Sequence, residues 1–285
     1  MKTKLGLTRL DWTTLAPAVC AGLAFFILYW ESLATLLRDW WTDPEAAHGL
    51  LLAPLALYLA WRRGRRPDTR AQPLIGIALL AGAVLLRYLS GLAAELFTLR
   101  LSMLAALAAL IVFAFGLKQL LHWWLPAALL FLSVPIPEVL LGSLAFPLQL
   151  KASQMGAALL ESRHIPVNLA GNIIHLPGHS LFVTEACSGL RSLTALTALG
   201  LLMGGVWLTT VVGRLVVLAA ALPLAMILNA IRVFVTGFIA YFIDPTLSEG
   251  FMHYSEGWAI FVVAFVLLGG IAWIAARLEK RGRSS

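Results

Sequence analysis

Apolar stretches separated by short polar breaks run the length of the chain, and most read as membrane-crossing helices, which need about 20 apolar residues each. The first, Ala16 to Trp30, follows Lys2, Lys4 and Arg9 as a secretory signal would. Glu31, Arg38 and Trp40-Trp41 come next and no small-residue cleavage site follows, so it reads as an uncleaved helix. The second, His48 to Trp61, stops at Arg62, Arg63, Arg65, Arg66 and Arg70. Leu74 to Leu89, Phe97 to Gly116 and Leu120 to Val134 follow, the last closed by Pro135-Ile136-Pro137. Further on come Ser188 to Met203, Arg214 to Asn229 and Trp258 to Ala276, which brings the expected spans to eight. The apolar piece Val233 to Ile243 either prolongs the helix before it or lies partly embedded.

From Glu138 to Glu185 the character changes. Lys151, Gln154, Glu161, Arg163 and His164 interrupt an apolar pattern that recurs at helical spacing up to Leu160, which predicts a short amphipathic helix at a surface. Ile165 to Glu185 then alternates apolar with polar residues in two runs around Pro177-Gly178, a β-hairpin signal. The expected fold is therefore an all-α integral membrane protein. It is a polytopic bundle of eight transmembrane helices in a single domain over residues 1–285, with an outer-face amphipathic helix and hairpin inserted at 138–185.

Composition agrees: of 285 residues, 60% are hydrophobic and only 12% charged, which excludes an ordinary water-soluble globule. The net charge of +7 would suggest nucleic acid in a soluble protein. In a membrane protein it records orientation, and no nucleic-acid partner is expected. The N-terminus, residues 62–73, the turns near Lys118 and Arg214 and the C-terminal tail hold 14 of the 21 basic residues. With an even number of spans, that bias puts both termini inside and the loop at 138–185 outside.

The two cysteines, Cys20 in an apolar stretch and Cys187 in a polar one, make neither a disulfide framework nor a zinc cluster. His175 and His179 have i, i+4 spacing, but Pro177-Gly178 between them breaks any common helical face, so no metal site and no cofactor are expected. Gly200 and Gly204 form a small-xxx-small pair of the kind that packs membrane helices.

The expected topology brings Cys187, Arg232 and His253 toward one face, the outer one. A thiol attacks a carbonyl as its thiolate, which a neighbouring cation favours. His253 can take the thiol proton and return it to a leaving amine. Arg232 can stabilise an oxyanion. Covalent acyl transfer is the reaction class that uses all three. Glu185, Ser188, Gly189 and Arg191 surround Cys187 at the start of a helix, where an anion is favoured. Asn229 and Arg232 could equally meet lipid headgroups, and His48 either lines the site or satisfies a hydrogen bond within the bundle.

EACSGLRSL at Glu185 to Leu193, NAIRVFVTG at Asn229 to Gly237, and the His253 of HYSEGW resemble, in order and separation, the three motifs of the exosortase and archaeosortase family. WTDPEAAHGLLLAPLALYLAW from Trp41 to Trp61 and VPIPE at Val134 to Glu138 are also similar to that family, although Glu45-Ala46-Ala47 stands where Tyr-Ser is common before the histidine. The resemblance implies a membrane cysteine protease or transpeptidase with Cys187 as nucleophile and Arg232 and His253 as its partners. Its substrates would be exported, membrane-anchored proteins ending in a tripartite sorting signal: a short motif of the PEP-CTERM kind, one transmembrane helix and a basic tail. The acceptor would be an amine or water. Two rival readings stay open: an intramembrane serine protease using Ser188 with His253, and a transporter whose polar path is lined by Arg232 and Glu185.

Overall fold

The computed structural model describes residues 12–183, 190–243 and 250–284, with the side chains of residues 12–18, 138, 141, 144, 190–191, 251–257 and 283–284 outside that description. The helices are α1 (Trp12–Thr42), α2 (Gly49–Arg63), α3 (Pro73–Leu92), α4 (Leu96–Phe115), α5 (Leu117–His122), α6 (Trp124–Leu132), α7 (Glu138–Glu161), α8 (Leu190–Trp207), α9 (Val211–Phe242) and α10 (Gly250–Ser284). Three short strands, β1 (Asn168–Ala170), β2 (Ile173–Leu176) and β3 (His179–Phe182), lie between α7 and α8. Among the described residues, five helices are long and apolar enough to cross a membrane: α1, α3, α4, α9 and α10. The protein is thus a multi-pass, helical membrane protein. The other three expected spans coincide with shorter helices, namely α2 with 15 residues, the α5–α6 pair interrupted at Trp123, and α8.

The chain divides into two compact units, one built from the chain up to Leu50 and from Arg63–Trp123, the other from Leu51–Arg62 and the chain from Trp124 on. In the first, α3 and α4 form an antiparallel pair and α1 packs on α4. Polar contacts tie that second interface together: Tyr29 is buried and donates its hydroxyl to the Ser102 carbonyl at 3.2 Å, and the buried Arg100 pairs with Asp39 at 2.6 Å. Trp40 packs over Gly49, where a side chain would collide with its indole, while its neighbour Trp41 is 81% exposed.

In the second unit α8, α9 and α10 enclose a core of Leu196, Val217, Ala221, Ala225, Ala264 and Leu268. Small residues let the backbones approach, as membrane helices require when lipid offers no hydrophobic contrast. Gly200 and Gly204 of α8 face α9, where an added Cβ would lie 3.5 Å from the Val217 carbonyl oxygen and 3.5 Å from Arg214 Cα. The region after Asn229 prolongs the helix, so α9 runs unbroken for 32 residues through Pro223, about 48 Å at 1.5 Å per residue.

α7 covers the stretch where an amphipathic helix was expected and is longer than the short one foreseen. It is 24 residues long, and Ala145, Gln149, Ala152, Ser153, Ala157 and Leu160 form a buried stripe along it. The stripe follows the i, i+4, i+7 helical spacing, and α7 lies along α9. Its apolar continuation is the sheet, ordered β1-β2-β3 and antiparallel throughout. Ile174 and Leu176 turn one face of β2 onto Leu160 and Val233, and His175 on the other face meets Ser180 across the ladder at 2.8 Å. Between β2 and β3, Pro177 is followed by Gly178 at φ 78, the combination that suits the two corners of a type II turn.

Candidate functional site

Three helices of the second unit wall one small cavity, to which two of them bring polar groups. α9 contributes Ala225, Leu228, Asn229 and Arg232 at i, i+3, i+4 and i+7, α8 contributes Ser192 from its first turn and Leu196, and α10 contributes Ile260, Phe261 and Ala264. This spacing sets all four α9 residues on one helical face. The apolar side chains form most of the wall, and the polar content comes from a hydroxyl, an amide and a guanidinium. Asn229 is buried and Arg232 half-buried. The cavity measures about 10 Å³, room for roughly one water molecule.

Two arginines on α9 contrast in use. Arg214 donates from Nε and Nη2 to the Leu208 carbonyl, at 3.2 and 3.0 Å, and lies over the Trp124 ring at 4.9 Å, which fixes the α8–α9 turn. Arg232 lines the cavity instead. They stand 18 positions apart, about 27 Å along the axis, close to the roughly 30 Å of a bilayer's hydrocarbon. One turn beyond Arg232, Thr236 returns its hydroxyl to the Arg232 carbonyl at 2.9 Å. Such a bond back to the i−4 carbonyl tends to bend a membrane helix locally.

Of the residues singled out by sequence, the structure brings Asn229 and Arg232 together. Glu185, Cys187, Ser188 and Gly189 lie outside the described residues. The backbone of Arg191 falls in the first turn of α8 and that of His253 in the first turn of α10, their side chains being outside the description. In sequence, Cys187 precedes the cavity residue Ser192 by five positions and His253 precedes Ile260 by seven, two helical turns. On the N-terminal side of Cys187 the described chain ends at the buried Val183, whose amide donates to the Asn172 carbonyl at 2.9 Å and whose carbonyl accepts from Asn172 Nδ2 at 3.1 Å. His48 belongs to the first unit, half-buried, with Nδ1 3.0 Å from the Glu45 carbonyl. Among the described residues, no three His, Cys, Asp or Glu side chains gather as a metal would need.

Ser192 was missed by the sequence reading. It sits within EACSGLRSL, one of the motif segments, but only the packing of α8 on α9 singles it out from its neighbours.

Membrane-length apolar helices, together with an arginine-lined cavity among α8, α9 and α10, define a polytopic membrane protein with a polar site inside one unit. The family model for the transmembrane exosortase matches residues 40–270, most of the chain, and the chain belongs to that family. It is accordingly a membrane sorting enzyme, whose substrates are proteins with sorting signals. No curated protein and no solved structure matches it.

Proposed function

We propose that the protein is a cysteine-dependent protease or transpeptidase that cleaves a C-terminal tripartite sorting signal from exported, membrane-anchored proteins. Cys187 attacks the carbonyl carbon of the scissile bond and its thiol proton passes to His253. The carbon–nitrogen bond breaks, the amine leaves with that proton, and a thioester holds the new C-terminus on Cys187. An acceptor amine or water then attacks the thioester, the carbon–sulfur bond breaks, and the proton the acceptor loses passes through His253 back to the sulfur of Cys187. Arg232 steadies the oxyanion formed in both halves. Asn229, Arg191, Ser188, Gly189 and Glu185 orient or line the site.

The observation that carries this reading is the cavity that gathers Ser192, Asn229 and Arg232 against α10, so that the helices bearing the three family-like motifs are those that wall one polar space. Its apolar walls give a water-poor setting, where a fixed guanidinium acts more strongly than in water. The distance between Arg214 and Arg232 also supports a site near one membrane boundary. With Arg214 at the cytoplasmic side, Arg232 reaches the outer headgroup level, and a substrate held by its own helix presents its cleavage site there. In this reading both termini are cytoplasmic, the membrane is the inner one, and the whole chain acts as one domain with 138–185 as the insertion ahead of the nucleophile.

The test is processing of a tailed substrate by Cys187→Ala and, separately, Ser188→Ala. Uncut substrate with Cys187→Ala and normal product with Ser188→Ala is the expected result. The reverse pattern would assign the chemistry to the serine, and full processing by both would remove the acyl-enzyme.

A further inference from the structure

The first unit holds a polar hollow that the reaction above does not use. It measures about 520 Å³ and is lined by Asp68, Thr69, Arg70, Gln72, Leu117 and Lys118, where the α2–α3 loop meets the α4–α5 junction. Arg65, Arg66, Arg70 and Lys118 are all exposed around this corner. Asp68 is the carboxylate among the lining residues, paired with Arg66 at 2.6 Å and lying 3.8 Å from Lys118.

Basic loops beside membrane helices are common, but this one is held in place by polar contacts around the buried Gln119. Gln119, without solvent exposure, accepts the Arg66 amide at 2.9 Å and donates to the Gly64 carbonyl at 3.2 Å, which also receives Trp123 Nε1 at 3.1 Å. Gln72 joins both sides, its amide on the Val112 carbonyl at 3.3 Å and its Oε1 taking the Leu117 amide at 3.0 Å. Gly116, at φ 84, lies so close to the Arg70 carbonyl that a Cβ there would collide with it. The cations are therefore presented on a fixed frame.

The location identifies the ligand. α3 begins at Pro73 and α4 ends at Phe115, both are membrane-length apolar helices, and both ends border the hollow. Beside it Leu74 is 83% exposed and Leu117 44% exposed. Positive charge and bare apolar surface thus meet at the end of two spans, as the headgroup and first methylenes of a phospholipid would require. A nucleic acid or a free phosphate would use the charge and leave the leucines wet.

We propose that this hollow is a binding site for the phosphate headgroup of an anionic phospholipid, with Arg70 and Lys118 on the phosphate and Leu117 against the start of an acyl chain. Asp68 tempers the charge. Burial raises its carboxyl, but the hydrogen bond and charge of Arg66 outweigh this and hold it below the usual carboxylate range, so it is ionised at neutral pH.

The full-length protein in neutral detergent, titrated with phosphatidylglycerol or with phosphatidylcholine and read by native mass spectrometry, tests the site. Phosphatidylglycerol should be retained in preference, and Arg70→Gln with Lys118→Gln should lower that preference about 10- to 30-fold, the effect of two surface cations. Lys280→Gln with Arg281→Gln removes the same charge from the C-terminal helix and should leave the preference in place. Asp68→Asn should strengthen retention, a gain that misfolding cannot imitate. Equal losses in the two double variants, or no preference between the lipids, would overturn the site. Inorganic phosphate that displaces the lipid at equal concentration would overturn the lipid as its ligand.

Discussion

Gly156 of α7 lies directly against Val233 of α9, so close that a Cβ on the glycine would overlap Val233 Cγ1 and approach its Cβ to 2.9 Å. Valine holds one strongly preferred rotamer in a helix and cannot swing aside. Because Val233 follows Arg232 in the chain, relief of that clash must shift the helix segment that carries the guanidinium. Gly156→Ala should therefore destabilise the protein by about 1–3 kcal/mol and slow processing. Gly142→Ala, on the same helix with nothing within 4 Å of an added Cβ, serves as the reference and should gain up to about 1 kcal/mol from helix propensity. Thermal melting in detergent separates them; equal behaviour of the two would show that α7 and α9 are not in close contact there.

Replacing Arg232 by lysine keeps the charge and removes the planar fork. A guanidinium can give two parallel hydrogen bonds to one carbonyl or oxyanion, whereas an ammonium acts as a point charge on a flexible stem. On the proposed mechanism Arg232→Lys should lower the rate by about 10²–10³-fold, the range seen when an oxyanion donor is lost. Membrane insertion should be unchanged, as followed by the amount of protein in the membrane fraction. Near-normal turnover would limit Arg232 to a structural or lipid-facing role.

The long apolar helices were legible in the sequence because hydropathy alone specifies them: α3, α9 and α10 each contain the apolar run that was read there, and α4 contains all of its run but Gly116. The end of α9 was not. Asn229 and Arg232 look like the polar close of a span, yet no proline or glycine follows until Gly237, and the helix continues to Phe242. The helical spacing up to Leu160 read from the sequence matches α7, and Lys151, Gln154 and Glu161 fall on its exposed face, but that its buried stripe would include the polar Gln149 and Ser153 was not legible from hydropathy. Trp40 and Trp41 are chemically identical neighbours, and only the missing side chain at Gly49 tells which one packs inward. In the candidate site, Asn229 and Arg232 were found through their motif, while Ser192 depends on the packing of α8 against α9, which no local pattern encodes.

Glu95 gives a pH dependence with a definite sign. It caps α4, its carboxylate accepting the Phe97 amide at 3.0 Å and the Thr98 amide at 2.7 Å. Partial burial raises its pKa, but the bonds to Thr98 and Phe97 outweigh this and hold it below the ordinary 4.5. A carboxyl with a depressed folded-state pKa adds stability above its unfolded pKa and loses it as pH falls through the folded value. Glu95→Gln should thus cost about 1 kcal/mol at neutral pH. The gap to wild type should stay constant at neutral pH, then shrink once the pH drops below 4.5. A gap that widened in acid would show that the ionised carboxylate is not what stabilises the cap.

Glu279 holds the α8–α9 turn from a distance of 70 residues in sequence. Its carboxylate accepts the Thr209 amide at 2.9 Å, the Thr209 hydroxyl at 2.8 Å, the Thr210 amide and the Thr210 hydroxyl. Thr210 in turn caps α9, its hydroxyl oxygen accepting the Gly213 amide at 3.1 Å. Each hydroxyl orientation depends on the other partner, so the two residues act as one unit. Glu279→Ala should destabilise the protein by about 1.5 kcal/mol, the lower end for hydrogen bonds to a charged group because this carboxylate is only partly buried. Thr210→Val should cost about 1 kcal/mol through loss of the cap. Since either change already breaks the shared network, the double variant should fall short of the sum by about 0.5 kcal/mol or more. Strict additivity would mean that Thr210 caps α9 unaided and that the carboxylate secures only Thr209.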